Sequence, residues 1–321
     1  MLSSHAYDAC TLCPRRCGAA RSSGRPGVCG ATGALRIARS ALHFWEEPPI
    51  SGERGSGAIF FTGCPLRCVF CQNHEISQEG FGLEVSVARL AQMMLELEAQ
   101  GALNINLVTP LHYAPDVRAA VEMARDAGMR LPIVCNTSGY ERPEVVREMR
   151  DVVDVWLTDF KYASSALSGE LSAAPDYPQV AAAALGEMTA AVREAGGRLV
   201  NQDGAMQRGV IVRHLVLPGH VDDSLAVLDR VWELCGNEVD LSIMNQYTPN
   251  EACRQRGGDL GRALDDVEYE LVLVHADDLG FESLWWQQGG TVSESFVPAF
   301  DATGVQGPEL SDVPGGAPKT T

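Results

Sequence analysis

From residue 57 onward the chain alternates short apolar runs with longer stretches whose apolar positions recur every three or four residues. A short apolar run bounded by Gly or Pro reads as a buried strand, and an i, i+3, i+4 recurrence reads as an amphipathic helix. The first run spans about 57–62, and Val87, Leu90, Ala91, Met94 and Leu97 then predict a helix near 86–100. The pattern repeats. Strands are predicted at 105–110, 132–139, 152–161, 209–219 and 240–247, with helices at about 115–127, from Pro143, and at 178–196, 222–235 and 264–279. Such alternation argues for a parallel sheet of the α/β class, and six units rather than eight argue for a partial (β/α)6 barrel.

The flanks read differently. Ala34 to Ile50 spaces Leu35, Ile37, Leu42, Phe44 and Trp45 through polar gaps, as an extended segment lying on the domain would. It ends at Glu46-Glu47-Pro48-Pro49, where two prolines deny helix and favour an extended turn, and the two glutamates read as surface carboxylates. Three regions follow: a cysteine-rich extension over 1–56, the barrel over 57–290, and a flexible acidic Gly/Pro-containing tail over 291–321, disordered beyond about 300.

Composition narrows the function. A chain of 321 residues buries a full core. Its formal charge of −17 offers no long-range attraction to phosphates, which disfavours nucleic acid. No run of about 18 apolar residues occurs and the N-terminus lacks a charged-then-apolar signal pattern, so a cytoplasmic protein without membrane spans is expected. Seven of the ten cysteines fall in two tight groups, which reads as metal or cluster ligation in a reducing compartment rather than disulfides.

The first group, Cys10, Cys13, Cys17 and Cys29, has the spacing C-x2-C-x3-C-x11-C. Four thiolates make a closed site, and zinc, an auxiliary [4Fe–4S] cluster and unligated cysteines are all open readings. The interleaved Arg15, Arg16, Arg21 and Arg25 read as solvated or as compensating thiolate charge. The second group, Cys64, Cys68 and Cys71, follows the first barrel strand at C-x3-C-x2-C. Three thiolates on a [4Fe–4S] cluster would leave one iron open for chemistry, while His74 three residues on would complete a Cys3His zinc site.

Barrel enzymes gather their sites at the C-terminal ends of the strands. Polar residues there are Asn136 and Ser138, Asp159 and Lys161, Arg213 and His214, and Asn245, Gln246 and Tyr247. Asp159 and Lys161, two apart, share a face and can simply pair. His112 and His214 read as hydrogen-bonded structural histidines, and Cys135, Cys235 and Cys253 as small buried apolar residues.

The Gly63-Cys64-Pro65-Leu66-Arg67-Cys68-Val69-Phe70-Cys71-Gln72-Asn73 loop resembles the signature of radical S-adenosylmethionine enzymes. With Cys10 to Cys29, Trp45 to Gly52, Asn104 to Pro110, Asn136 to Tyr140, Asp159-Phe160-Lys161 and Arg213 to Gly219, the chain over about 8–290 resembles homologues of pyruvate formate-lyase activating enzymes, of the PflX-type branch. The resemblance implies a [4Fe–4S] cluster on Cys64, Cys68 and Cys71, S-adenosylmethionine as co-substrate, and reductive cleavage to a 5′-deoxyadenosyl radical. It implies a low-potential electron donor such as flavodoxin or ferredoxin, and a substrate that could be a glycyl-radical protein. Phe70 would lie against adenine, Asp159 and Lys161 in the co-substrate pocket, and Arg213 near the methionine end. Thr109, Asn136 and Ser138 are the remaining candidate contacts. Where activating enzymes carry a Gly-Gly-Glu-Pro-like motif this chain has Val108-Thr109-Pro110, a departure that bears on glycyl-radical activation. A non-catalytic zinc-bound scaffold is the alternative from another class.

Overall fold

A computed structural model describes residues 2, 4–287 and 297–310. Its strands are β1 (Arg36–His43), β2 (Ser56–Phe61), β3 (Leu83–Glu84), β4 (Ile105–Val108), β5 (Ile133–Thr137), β6 (Val155–Asp159), β7 (Leu199–Val200), β8 (Met206–Leu215), β9 (Asp240–Met244) and β10 (Leu284–Trp286). They form one sheet in the order β10-β9-β8-β6-β5-β4-β2-β1-β3, with β7 beside β8. From β2 to β10 along this order every pairing is parallel, and β1 is antiparallel to both β2 and β3. Every residue of β2, β4, β5 and β6 is buried, as strands covered on both faces must be, which is why they read as unbroken apolar runs.

The helices are α1 (Pro48–Ser51), α2 (His74–Ser77), α3 (Val87–Ala99), α4 (Ala114–Asp126), α5 (Pro143–Met149), α6 (Ser165–Ser172), α7 (Tyr177–Glu194), α8 (Val221–Cys235), α9 (Glu251–Arg256) and α10 (Asp266–Leu279). Their starts are written locally. Ser86 caps α3 by accepting from the Arg89 N–H, and Asp265 with Glu268 forms a capping box on α10. The six expected strand–helix units are present, and the sheet is open. β10 adds a seventh parallel strand, three residues long and too short to register as a periodic run.

Two expectations fail here for physical reasons. The prolines at 48 and 49 begin a helical turn rather than exclude one, since Pro at the first helical positions gives up an N–H that would be unpaired anyway. That turn draws the preceding glutamates inward: Glu47 is only 8 % exposed, so Glu46 and Glu47 are not surface carboxylates.

The C-terminal part also departs from expectation. Residues 297–310, read as loose, pack on the edge that the short β3 leaves free: the Ser40 N–H donates to Thr303 O at 2.8 Å and the Ala302 N–H to Ala38 O at 3.1 Å. Phe300 and Val305 are buried. Arg89, on α3, ties the segment down by donating to the carbonyls of Gly304, Val305, Gln306 and Pro308 while it pairs with Glu96 at 2.7 Å. The rest of the predicted tail lies outside the described residues. Arg89→Met strands a half-buried carboxylate and four carbonyls, and is expected to cost about 3 kcal/mol. Limited proteolysis should then cut within 297–310 well before the barrel; equal resistance in the variant would contradict this account.

Candidate functional site

The cysteine loop leaves β2 through Gly63, whose φ of +94° a side chain rarely adopts. A Cβ there would also lie 2.7 Å from Cys29 O, so only glycine lets the loop approach the N-terminal segment this closely. Hydrogen bonds to the main chain hold the loop in place: the Val69 N–H donates to Leu171 O at 2.9 Å, and the Asn250 side-chain Nδ2 donates to Val69 O at 2.8 Å. Cys68 Sγ accepts from Ser172 Oγ at 2.9 Å, and Cys71 Sγ lies 3.3 Å from Ser77 Oγ. Gln78 Nε2 donates to Cys68 O at 3.0 Å.

All three thiols face one cavity, which Phe70, Thr109, Asn136, Ser138, Asp159, Lys161 and Arg213 also line. Phe70 is braced edge-on by Tyr162 and tilted against Tyr247, at ring separations of 6.5 and 6.2 Å. Thr109, at the end of β4, turns the chain with φ of +57°, and its N–H donates to Asn136 O at 2.8 Å. A β-branched residue in this region costs about 1–3 kcal/mol, which the surrounding sheet must supply.

The polar residues form one connected set. Asp159 accepts from Lys161 Nζ at 2.5 Å and from Arg213 Nε at 3.0 Å. Arg213 also donates to Asn136 Oδ1 at 2.6 Å and to Glu46 Oε2 at 3.1 Å. The amides of Asn106 and Asn136 reach Glu46 Oε1 at 3.1 and 3.2 Å. Burial works to raise the Asp159 carboxyl, yet Lys161 and Arg213 hold it below its usual range. Burial raises Glu47, with Glu46 adding and Arg213 opposing, and its Oε2 is buried without a hydrogen-bond partner. Glu46, Glu47 and Ser172 are therefore site residues that pattern reading missed. The usable signal was the block Trp45 to Gly52 immediately before β2.

Other strand-end candidates do not enter the cavity as side-chain donors. His214 points into the protein, where Nδ1 meets Phe160 O at 2.8 Å and must carry the proton, and Nε2 accepts from Ser224 Oγ at 2.9 Å. Burial pushes this histidine down to about 4, against the opposing Phe160 carbonyl. The unfolded chain takes up the proton near 6.5, so the group's contribution is whole above that pH and is lost as pH falls towards 4. In His214→Gln, the fall in unfolding free energy between pH 7 and 4 should shrink by about 3 kcal/mol. Parallel slopes in wild type and variant would contradict the assignment. His112 is likewise structural, with Nε2 2.9 Å from Thr62 O. Gln246 lines the cavity and accepts through its carbonyl from Gln72 Nε2 at 2.7 Å, whereas the Tyr247 hydroxyl is spent on Leu260 O at 2.6 Å and Asn245 bonds to Gln287. Cys135, Cys235 and Cys253 are buried as expected of apolar cysteines.

Zinc needs its ligands at about 2.1–2.3 Å from one point. Among the described residues no three His, Cys, Asp or Glu side chains are gathered for a single ion, and His74 is exposed, 3.6 Å from Glu79. Three thiols lining one cavity are the donors that a [4Fe–4S] cluster with one open iron would take. Burial raises the Cys64 thiol, with Cys68 and Cys71 adding, and burial pushes Cys68 up to about 11 against the pull of Lys161. Such thiols ionise when a cationic group binds them.

Residues 58–179 match the family model described as the Radical SAM superfamily. An uncharacterized protein of Methanocaldococcus jannaschii is 25% identical over 289 residues, covering 87% of this chain and 77% of that protein. Among solved structures, Streptococcus suis SuiB bound to S-adenosylmethionine superposes with a TM-score of 0.48 at 13% identity, over 73% of this chain and 50% of SuiB. A radical SAM methyltransferase from Sphaerobacter thermophilus gives 0.48 at 14% identity, over 74% of this chain and 68% of that one. The chain thus spans half the length of SuiB. No helix among the described residues is long and apolar enough to cross a membrane.

Proposed function

We propose that this chain, whose residues 58–179 match the Radical SAM superfamily model, is an enzyme of that superfamily that cleaves S-adenosylmethionine reductively and abstracts hydrogen from a further substrate. The observation that carries the reading is the convergence of Cys64, Cys68 and Cys71 with Asn136, Asp159, Lys161 and Arg213 on one cavity. A [4Fe–4S] cluster held by the three thiolates would supply an open iron for the methionine end and one electron for the sulfonium, yielding methionine and a 5′-deoxyadenosyl radical.

The chain's own residues do the rest. Lys161 and Arg213 are the cations that can meet the methionine carboxylate, and Asp159, Asn136 and Ser138 offer acceptors and donors to an amine and to ribose hydroxyls. Phe70 provides an apolar face for adenine. The strained turn at Thr109 presents backbone where the methionine amine is to be received. The Asp159–Lys161 pair keeps both side chains charged and oriented before the co-substrate arrives.

The test is anaerobic reconstitution with iron and sulfide, reduction with dithionite, and assay for 5′-deoxyadenosine from S-adenosylmethionine. Product formation supports the reading; a protein that binds only zinc and forms none overturns it, leaving the scaffold reading. The finer assignment, to the PflX-type branch of activating-enzyme homologues, rests on the blocks around Glu46, the cysteine loop and Arg213. Activation of a glycyl-radical protein would give a glycyl doublet by electron paramagnetic resonance with that partner, and Val108-Thr109-Pro110 weighs against it.

A further inference from the structure

The second cysteine group lies against the first. Cys10, Cys13 and Cys29 are buried and Cys17 is exposed. Two of the thiols converge on Gly27, where a Cβ would lie 3.4 Å from Cys17 Sγ and equally from Cys29 Sγ, and Arg21 Nη1 is 3.5 Å from Cys10 Sγ. Zinc would need all four sulfurs about 2.3 Å from a single point, whereas a cubane spreads its four thiolates over four irons.

The surroundings fit a large anionic group. Arg21 is 1 % exposed, stacked over the rings of Tyr7 and Tyr113 at 4.5 and 5.1 Å, and fixed by a 2.6 Å bond from Nη1 to His112 O. A buried guanidinium set against the Cys10 thiol is costly unless nearby sulfur carries negative charge. Hydrogen bonds to cluster sulfurs are also one of the ways a protein adjusts the reduction potential.

The link to the active loop is direct. The Cys64 N–H donates to Cys29 O at 3.1 Å, so a ligand of one group is hydrogen-bonded to a ligand of the other. Arg67 Nη2 donates to Val28 O at 2.6 Å, and Arg15 Nε to Pro65 O at 2.9 Å, locking the two loops together.

We propose that Cys10, Cys13, Cys17 and Cys29 hold a second [4Fe–4S] cluster that accepts one electron from a flavodoxin- or ferredoxin-class donor at the exposed Cys17 face and passes it to the Cys64–Cys68–Cys71 site. One electron enters and one leaves, and the donor is oxidised by one electron for each co-substrate cleaved. Occupancy of this site stands on its own geometry; the relay rests on the radical reading of the three-cysteine loop.

The full-length chain reconstituted anaerobically is expected to hold about eight iron and eight sulfide, and no stoichiometric zinc. The Cys64/Cys68/Cys71→Ala triple variant should keep about four iron, with an electron paramagnetic resonance signal insensitive to S-adenosylmethionine. Cys17→Ser, at an exposed position, should lose the second signal while the first still responds to S-adenosylmethionine. In the doubly reduced wild type the two spins should couple and broaden the spectrum. The ratio of flavodoxin-driven to dithionite-driven 5′-deoxyadenosine formation should fall at least tenfold in Cys17→Ser. About four iron plus one zinc in the wild type overturns the site, and an unchanged ratio with both signals accounted for overturns the relay. A wild type with two clusters and no cleavage supports the site while sinking the radical reading, so the two failures are distinguishable.

Discussion

Cys68→Ala is expected to reduce 5′-deoxyadenosine formation to the background of cluster-free protein while the chain stays folded. Two remaining thiolates cannot hold a cubane in the cavity. The fold should survive because the loop around residue 68 is held by groups other than its sulfur. The Val69 N–H is anchored on Leu171 O, the Val69 carbonyl receives Asn250 and the Cys68 carbonyl receives Gln78. Loss of the thiol leaves Ser172 Oγ without its 2.9 Å acceptor, although Tyr162 OH lies 2.7 Å from the same oxygen. The cost to stability should therefore be about 1–2 kcal/mol. Ser172→Ala offers the contrast: the ligand stays and only its support is lost, so activity should drop about tenfold to a hundredfold with the iron content retained. Circular dichroism, iron analysis and the nucleoside assay on both variants decide the matter. A Cys68→Ala protein that still forms product would remove this loop from the chemistry.

How much of this was legible in the residues depends on how local each determinant is. The strand ends of a parallel sheet converge by construction, so Asn136, Asp159, Lys161 and Arg213 could be expected to meet the loop after β2 from the strand pattern alone. The glutamates at 46 and 47 could not be placed that way. Their burial follows from a single turn at Pro48–Ser51, and from amides and a guanidinium that lie 60, 90 and 167 residues away in sequence. The same holds for the segment at 297–310, which looks loose by composition but is captured by one arginine on α3 and by the edge of β1. Ser172 ends a short helix with weak amphipathic patterning, and only the fold brings it to Cys68. The nature of the metal sites was equally open in the spacing.

Replacing Arg213 by Met is expected to be the most damaging change among the polar residues of the cavity. Three acceptors, Asp159, Asn136 and Glu46, lose a donor at once, and Glu47 loses the cation that opposes its burial. Removing one partner from a buried charged set costs about 3–5 kcal/mol, because the opposite charges are left behind in a poor solvent. Asp159 retains Lys161 and Glu46 retains two amides, which sets the loss near that range rather than above it. The buried carboxyls then prefer their protons, so the deficit should grow as pH rises above the ordinary carboxylate range and shrink in acid. Arg213→Lys should recover less than half of the stability, since one ammonium cannot present a planar fork to three acceptors. Urea unfolding at two pH values, with S-adenosylmethionine binding measured by equilibrium dialysis, tests both halves: binding should weaken at least tenfold in either variant. A Met variant within about 1 kcal/mol of wild type would show that the network is not held through this side chain, and that its charges are screened by water instead.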